Sequence, residues 1–422
     1  MQRNLFLLAL CQGLFLTNNI TFIAINGLVG FSMAPFGWLA TLPIMAYVVG
    51  SAAATGLVAR VQRQWGRQKA FQSAILVAIG SSLLCFLAAW QREFWLLVFA
   101  TFVAGYYQAN AQLYRFAAAE LVTEEYKERA VSWVLAGGIF GAVLGPNLAA
   151  SSKDWFAVPF AGSYLGLIGV GLLAAVVMAR IDFRPPQSGG RMPANPGRTP
   201  EASAVAATAP SPSASIPPAV RPELFEAPAP RPIGEIMRQP VFVVSALGAA
   251  IGYGVMNLLM AATPLAMQVC GLPFSDAAFV LQWHVIGMFA PGFFTGHLIK
   301  RFGPMKVMGA GVFLNLVCIG IALSGTDLEE FTIALFVLGV GWNFLFTAST
   351  TMGLSSYRAE EKDKAQGSLN FWVFFTMGLS SLGSGALVTT QGWSLLNIAS
   401  VFPIVVLGLV LFFYAQAKKP AA

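Results

Sequence analysis

Three methionines and one histidine occur at helical spacing in two neighbouring apolar segments. Met256 and Met260 are four residues apart, and so are His284 and Met288, which places each pair on one face of its helix. Thioether and imidazole groups with no carboxylate among them are the ligands that a soft cation prefers, and Cu(I) fits them best. The pattern therefore predicts a copper site made by these four side chains.

The two segments that carry the pairs must lie close together for such a site to form. They cover about 240–268 and 275–299, and a short turn with Gly271 and Pro273 joins them. A connection of this kind favours antiparallel neighbours. Counted back from the turn, the four side chains fall at two matching depths, so we expect them to converge inside the membrane.

A packing role is the alternative for the same residues. Methionine is a common gap-filler in apolar helices, and 14 Met in 422 residues give roughly 0.5 such pairs by chance. The histidine pair is rarer, because a chain with two His gives roughly 0.07 His-xxx-Met pairs by chance. A polar group inside a span is also costly without a partner, which favours a functional site.

The composition predicts an all-α polytopic membrane protein. Hydrophobic residues make up 57% of the chain and charged residues 10%, and the mean hydropathy is +0.69, which excludes an ordinary soluble globule. Twelve apolar segments are long enough to cross a bilayer. They cover about 4–30, 36–58, 70–90, 94–118, 130–151, 156–180, 240–268, 275–299, 305–325, 329–353, 364–389 and 393–416.

Basic residues lie mainly at one end of the predicted bundle. Of the 25 Lys and Arg, 22 fall on the side that carries both termini, whereas Arg92 and Lys153 fall in loops on the opposite side and Arg115 lies within a span. The positive-inside rule therefore predicts that both termini are cytoplasmic. The net charge of +7 reflects this topology, and the basic residues form no stripe that would indicate nucleic-acid binding.

A segment rich in Pro, Ala and Ser separates two groups of six spans. It covers residues 183–239 and has no pattern from which a core could form, so we expect a disordered cytoplasmic linker. The expected domains are an N-terminal six-helix bundle, residues 1–182, and a C-terminal six-helix bundle, residues 240–422, which carries the predicted metal site.

The two halves carry similar basic turns after their second spans. In each half a glycine is followed by basic residues at a short interval, which predicts two gating turns in homologous bundles. The N-terminal turn has Gly56, Arg60, Gly66, Arg67 and Lys69, and the C-terminal turn has Gly296, Lys300, Arg301, Gly303 and Lys306.

These features resemble a known family of carriers. Twelve spans, a long central loop and the basic turns are similar to the major facilitator superfamily, and the similarity covers nearly the whole chain outside the linker. Within that superfamily the Met and His pairs, set in Gly252-Tyr-Gly254 and Gln282-Trp-His284, resemble the CcoA-like copper importers of bacterial inner membranes.

The resemblance implies a secondary transporter that imports copper, as Cu(I), and supplies cytochrome c oxidase assembly. Its copper ligands would be Met256, Met260, His284 and Met288. No cofactor is expected to stay bound, since copper would be the transported substrate. The implied partners are the lipid bilayer and cytoplasmic copper-handling proteins, and we expect a monomer that binds no nucleic acid.

Two other function classes stay open. One is a carrier for an organic solute such as riboflavin, because transporters of that vitamin are similar to the CcoA-like branch and several aromatic residues could stack on a flat ring. These residues are Trp342, Phe344, Phe371 and Trp372. The Met and His quartet would then be only structural. The other class is a membrane metal sensor or assembly factor, but the sequence has no signalling domain.

No catalytic pattern occurs in the sequence. A nucleotide-binding glycine-rich loop, an HExxH motif and a Ser-His-Asp arrangement are all missing from it, so we expect no enzymatic activity. Arg115 is followed five residues later by Glu120, and we expect it to pair there or to reach the membrane interface rather than to bind substrate.

Overall fold

The described part of the chain is almost wholly α-helical. The computed structural model describes residues 2–123, 126–183 and 231–417, and no β-strand occurs among them. A backbone in lipid must satisfy its N–H and C=O groups internally, and a helix does so. The helices of these residues are α1 (Gln2–Met33), α2 (Leu42–Gln91), α3 (Phe94–Ala111), α4 (Tyr114–Glu120), α5 (Lys127–Ser152), α6 (Ala161–Ala179), α7 (Ile233–Met237), α8 (Pro240–Val269), α9 (Phe274–Phe289), α10 (Gly292–Phe302), α11 (Pro304–Ser324), α12 (Leu328–Gly353) and α13 (Lys362–Ala417).

Twelve membrane spans arise from these helices, six in each half of the chain. The 50 residues of α2 and the 56 of α13 are roughly 75 and 84 Å long, enough for two crossings each. Each of these helices reverses at a glycine with positive φ, Gly66 (75°) in α2 and Gly392 (79°) in α13. Two further spans are each broken into two helices. One consists of α3 and α4, and the other consists of α9 and α10, whose axes are bent by 41° relative to each other. The predicted all-α fold with twelve spans in two six-helix bundles is confirmed.

Fewer helices qualify as spans when length and apolarity are the only criteria. Seven of the described helices then pass, or eight if α9 and α10 count as one span. The number rises to twelve because two of the seven contain a reversal and because three further spans do not pass as single helices. These three are α3 with α4, α5, and α9 with α10.

The loops define two ends of the bundle. The terminal end carries both chain ends and the reversals at Gly66 and Gly303, where φ is 75° and 82°. These two glycines belong to the basic turns that the sequence pairs with each other, and they share the same backbone conformation. The opposite end carries the loops 34–41, 153–160 and 270–273.

The two halves touch each other near the opposite end. The Gly385 N–H donates to Thr41 Oγ1 over 3.0 Å, which joins α13 to the start of α2. Phe160 and Phe274 pack edge to face with their ring centroids 4.9 Å apart. These contacts hold the halves together at that end of the molecule.

Glycines allow α5 to approach α1 closely. A Cβ atom at Gly137 would lie 2.2 Å from the Ala9 carbonyl oxygen, and one at Gly141 would lie 2.6 Å from the Gly13 carbonyl oxygen. Both distances are too short for any side chain. The small residues of α5 therefore serve helix packing within the N-terminal half.

Most of the predicted linker lies outside the described residues. Residues 231–239 belong to the predicted linker but are described, and they contain α7 (Ile233–Met237). The ordered start of the C-terminal half thus precedes residue 240. Arg231 explains this difference, because its backbone N–H and its guanidinium both donate to Glu361 over 2.7–2.9 Å.

Glu361 is a fully buried carboxylate at the terminal end. It accepts four hydrogen bonds, three from Arg231 and one from the Arg358 N–H. The hydrogen bonds from Arg231 are the main reason that the pKa of Glu361 lies well below its usual range. The carboxylate therefore stays charged at physiological pH and ties α7 to the turn before α13.

The N-terminal half has a more exposed ion pair at the same end. Arg67 donates to both carboxylate oxygens of Glu120, from Nε over 2.6 Å and from a terminal nitrogen. The Glu120 side chain is 57% exposed, in contrast to the buried Glu361. Glu120 is thus bound by Arg67, and the predicted pairing of Arg115 with Glu120 is wrong. The two residues are five apart, which puts them roughly 140° apart around α4.

Candidate functional site

The four predicted metal ligands are all buried in the C-terminal half. Met256 is 1% exposed, Met260 6%, His284 0% and Met288 7%. None of them is turned toward lipid. Their joint role in holding a metal stays a prediction.

The helices that carry these residues each pack on α12. α9 packs more extensively on α12 than on α8, although only the turn 270–273 separates α8 from α9. A Cβ at Gly339 of α12 would lie 2.4 Å from the His284 carbonyl oxygen, so α9 and α12 are in backbone contact there. On α8, Gly252 lies one turn before Met256 and faces Leu345 of α12. Helix α12 is therefore a shared neighbour of both pairs.

His284 has one ring nitrogen engaged and one free. The Nδ1 atom lies 2.7 Å from the Leu335 carbonyl oxygen, to which only a protonated Nδ1 can donate. The Nε2 atom is then an acceptor with a lone pair, and it is buried without a partner among the described residues. Such a nitrogen can accept a hydrogen bond or bind a metal.

Met288 lies beside the break between α9 and α10. Pro291 has no N–H and cannot complete the helical bonding there. Asn343 of α12 donates its amide to the Met288 carbonyl over 2.7 Å, and Thr295 Oγ1 donates to Asn343 Oδ1 over 2.7 Å. Asn343 thus stabilises the broken span, with both its amide nitrogen and its amide oxygen bound to protein groups.

An aromatic cluster is built by α8, α12 and the end of α9. Trp342 and Phe346 stack with centroids 5.3 Å apart and an interplanar angle of 8°. Tyr253 packs edge to face on both rings, at 5.2 and 5.5 Å, and Phe289 adjoins Trp342 at 6.4 Å. Tyr253 and Phe346 are only partly buried. The cluster therefore offers an apolar, aromatic surface formed by Tyr253 and Phe346. The Trp342 N–H behind it is buried and has no partner among the described residues.

Arg115 faces this cluster from the N-terminal half. Its guanidinium, which lies 4.9 Å from the Phe116 ring centroid, is close enough to Tyr253 to interact electrostatically. Its Nε atom is buried without a hydrogen-bond partner, and no ion pair is formed by Arg115 among the described residues. Arg115 is thus a cation without an acidic partner among the described residues, and it interacts electrostatically with Tyr253 of the other half.

Polar side chains precede Arg115 on the same span. Gln108 and Gln112 lie seven and three residues before it, the spacing of one helix face. Gln108 is buried with a free Oε1 atom, and Gln112 is exposed. We call Gln108, Gln112 and Arg115 the N-terminal wall and the aromatic cluster the C-terminal wall. The N-terminal wall is polar and cationic, whereas the C-terminal wall is aromatic.

The aromatic residues chosen from sequence meet only in part. Trp342 belongs to the aromatic cluster, but Phe371 and Trp372 form a separate group with Phe375 on α13. Tyr253 and Phe346 were missed. Tyr253 lies between the glycines of Gly252-Tyr-Gly254, and Phe346 follows Trp342 at i+4, a spacing that could have indicated a shared face.

No conventional metal cluster occurs in the described residues. Groups of three or more His, Cys, Asp or Glu side chains able to share an ion are absent from residues 2–123, 126–183 and 231–417. The four cysteines are free, and of these only Cys270 is exposed.

The predicted gating residues lie at the terminal end, as expected from their positions. Arg67 forms the ion pair with Glu120, and Arg301 lies 5.2 Å from the Phe302 ring centroid. The others are exposed or reverse the chain, and they are Gly56, Arg60, Gly66, Lys69, Gly296 and Lys300. A gating role stays a prediction.

Comparison with known proteins assigns a family to this architecture. Two overlapping segments, 5–291 and 246–422, match the Major Facilitator Superfamily. The riboflavin transporter RfnT of Brucella anthropi is 34% identical over 424 residues, which cover 100% of this chain and 98% of that protein. An uncharacterised transporter of Bacillus subtilis, YddS, is 22% identical over 94% of this chain and 88% of its own length.

Solved structures share the fold at low sequence identity. A bacterial homologue of the human lysosomal transporter Spinster, in an inward-facing and occupied conformation, has a TM-score of 0.72 at 14% identity and covers 99% of this chain and 98% of its own. The nucleoside transporter NupG has a TM-score of 0.66 at 12% identity, over 99% of this chain and 100% of its own.

Proposed function

This chain belongs to the major facilitator superfamily of secondary transporters, and we propose that the solute it carries is riboflavin or a close flavin relative. The observation that carries the proposal is the 34% identity to a riboflavin transporter across the full length of both proteins. The protein is accordingly a multi-pass membrane carrier and not an enzyme.

The aromatic cluster is suited to a flat ring system. Riboflavin has a tricyclic ring that can stack on aromatic side chains, and each such contact contributes roughly 1–3 kcal/mol. Phe346 and Tyr253 present partly exposed rings, backed by the buried Trp342. We assign the ring of the substrate to this surface.

Arg115 suits the polar edge of the same ring. The pyrimidine part of a flavin has two carbonyl groups, and a guanidinium is a strong multiple donor to such acceptors. Arg115 faces Tyr253 across the space between the halves and has no acidic partner among the described residues. The solute would thus be held between a donor wall and a stacking wall.

We place the carrier in the bacterial inner membrane with both termini in the cytoplasm. The support is the distribution of basic residues, of which 22 of 25 lie at the terminal end or in the segments that join it. The halves touch at the opposite end, which would then face outward. Such an arrangement is that of an inward-open carrier.

Copper import is the second candidate. It is favoured by one observation, the buried and free Nε2 of His284 near a helix pair rich in methionine. The relatives do not support the CcoA-like assignment or a role in cytochrome c oxidase assembly. A free Arg115 in the space between the halves also opposes the passage of a bare cation, because like charges repel. We therefore rank riboflavin above copper.

Parallel uptake measurements separate the two candidates. Bacteria that cannot take up riboflavin are given the gene on a plasmid, and the uptake of radioactive riboflavin and of radioactive copper is followed in the same cells. We expect saturable riboflavin uptake and copper uptake equal to that of the empty plasmid. Copper accumulation without riboflavin uptake would contradict the proposal.

The variant His284→Ala gives the matched control. If the histidine is structural, riboflavin uptake should fall by no more than about 10-fold, since the imidazole hydrogen bond contributes roughly 0.5–1.5 kcal/mol and about 1.4 kcal/mol is a factor of 10. If His284 binds copper, the variant should abolish copper accumulation while the protein still reaches the membrane. Membrane levels are compared by immunoblot in both cases.

A further inference from the structure

A cavity lies at the opposite end of the molecule, between the two halves. Its volume is about 380 Å³, within the range of roughly 300–1,000 Å³ typical of small-molecule sites. Six of its lining residues bear on its chemistry, and they are Ser32, Arg92, Lys153, Phe160, Gln268 and Phe274. We call it the opposite-end cavity.

The opposite-end cavity is separate from the aromatic cluster. Pro264 of α8 lines it, and this residue is 11 positions beyond Tyr253, roughly 16 Å along the helix. The Phe160–Phe274 contact is part of its wall. An occupant would therefore lie at a different depth from a solute held by Arg115 and Phe346.

The charge of the lining is positive. Arg92 and Lys153 are the two basic residues in loops at this end, and both line the cavity. Their acidic chain neighbours, Glu93 and Asp154, do not line it. Neither basic residue forms an ion pair with another described residue. Two basic residues without an ion-pair partner among the described residues thus line one partly open cavity at the end of the molecule where basic residues are rarest.

The backbone of the lining is unusual in the same place. Arg92 has a φ of 56° and Phe160 a φ of 64°, and among the described residues these are the non-glycine residues with positive φ. At Arg92 this conformation forms the C-terminal cap of α2, where left-handed backbone is common, and at Phe160 it precedes the start of α6. Both residues lie on this cavity, so two chain turns fix the shape of its wall.

Aromatic and hydrogen-bonding groups complete the site. The Lys153 Nζ atom lies 5.7 Å from the centroid of the Phe160 ring, so the cation is held over an aromatic face. Ser32 and Gln268 add polar groups from α1 and α8, one from each half. We propose that the opposite-end cavity binds a small organic phosphate, with its phosphoryl group at Arg92 and Lys153 and its organic part against Phe160.

This proposal does not depend on riboflavin being the transported solute. Because the cavity is lined by both halves, an occupant would also hold them together at this end. A phosphorylated molecule bound here would thus act on the carrier from the side opposite to the termini.

Flavin mononucleotide is the probe, because it adds one phosphate to riboflavin. The full chain is purified in a neutral detergent without phosphate, and binding is followed by the fluorescence of the flavin. We expect the double variant Arg92→Gln with Lys153→Gln to bind flavin mononucleotide roughly 10-fold more weakly, since two charge-assisted contacts are lost. Inorganic phosphate should displace flavin mononucleotide from the unaltered protein. The double variant should bind riboflavin with the same affinity as the unaltered protein.

Two controls keep the result interpretable. The charge-preserving variant Arg92→Lys with Lys153→Arg should bind like the unaltered protein, which tests whether the fold survives substitution at these positions. Arg238→Gln, which removes an exposed cation at the terminal end, should also leave binding unchanged. Equal binding of flavin mononucleotide by the unaltered protein and the neutral double variant, with no displacement by phosphate, would overturn the proposal.

A lipid arm identifies the source of the phosphate. The chain is placed in nanodiscs of phosphatidylcholine with and without phosphatidylglycerol. Competition by phosphatidylglycerol would support the site with a lipid phosphate as its occupant, and its failure to compete while inorganic phosphate does would support a soluble ligand. Riboflavin uptake is measured separately, so a negative uptake result leaves this test unaffected.

Discussion

The two halves have the same six-span plan but present different chemistry to the space between them. The N-terminal wall has Arg115 with polar neighbours on the same span, and the guanidinium has no acidic partner among the described residues. The C-terminal wall has the aromatic cluster around Trp342 and Phe346. A symmetric scaffold thus carries asymmetric chemistry, and in the proposed site one half would supply hydrogen bonds and the other would supply stacking.

The terminal end shows a second contrast between the halves. The carboxylate of the N-terminal half, Glu120, is exposed, whereas that of the C-terminal half, Glu361, is fully buried and accepts four hydrogen bonds. An exposed pair can break at little cost, whereas the loss of one partner from a buried pair leaves a desolvated charge. We infer that the C-terminal turn is the more rigid of the two.

Removal of the Arg115 guanidinium should have the largest effect on transport. Arg115→Gln should lower the apparent affinity for riboflavin by roughly 10–100-fold, as expected when a charged donor is lost from a buried site. Arg115→Lys should retain part of the activity, because it keeps the charge but not the planar fork. Initial rates of radioactive riboflavin uptake over a range of concentrations give both values, and an unchanged affinity in Arg115→Gln would remove the N-terminal wall from the site.

Removal of one stacking ring should have a somewhat smaller effect. Phe346→Ala should raise the KM for riboflavin roughly 10-fold, since one aromatic contact is lost while Tyr253 remains. Phe346→Tyr keeps the ring and should transport normally. The same uptake assay applies, with Phe371→Ala as a control because this ring belongs to the separate group on α13. An equal loss in both alanine variants would mean that the aromatic cluster has no special role.

The ion pairs should differ in their effect on stability. Glu361→Gln should lower the melting temperature of the purified protein by several degrees, whereas Glu120→Gln should change it by no more than about 1 °C. Light scattering on heating measures both. Similar shifts for the two variants would remove the contrast between the turns.

The pH dependence of Glu361 follows from its lowered pKa. A carboxyl whose pKa is lower in the folded state stabilises the fold above its unfolded pKa, and this stabilisation is lost as the pH falls through the folded value. The difference in melting temperature between the unaltered protein and Glu361→Gln should therefore be constant from about pH 5.5 to 8 and shrink only below about pH 4. A difference that disappears near pH 6 would show that the carboxylate is not held by Arg231.

Local sequence signals predicted the fold well. The hydropathy of about 275–299 predicted one span, and the structure has α9 and α10 there, bent at Pro291. Gly66 and Gly303, which the sequence places in similar turns, both have positive φ, because a tight reversal requires it and glycine adopts it without strain. These features depend on residues close together in the chain.

Contacts between distant residues could not be read in the same way. Arg115 and Tyr253 belong to different halves, and no periodicity relates them. The Met and His pairs had the right spacing for a shared face, but the position of α12 beside both helices depends on the close approach at Gly339. The spacing of the Met and His pairs thus correctly indicated that these side chains are buried. It left open whether they serve packing or bind a ligand.

Counterflow in proteoliposomes tests the central proposal most directly, because it works whichever way the carrier runs in the cell. The purified protein is reconstituted into liposomes loaded with unlabelled riboflavin, and a trace of radioactive riboflavin is added outside. We expect a transient accumulation of label that is much weaker with Arg115→Gln and absent from liposomes loaded with Cu(I) instead. No accumulation with riboflavin, together with counterflow of radioactive copper in copper-loaded liposomes, would contradict the account and favour a metal carrier.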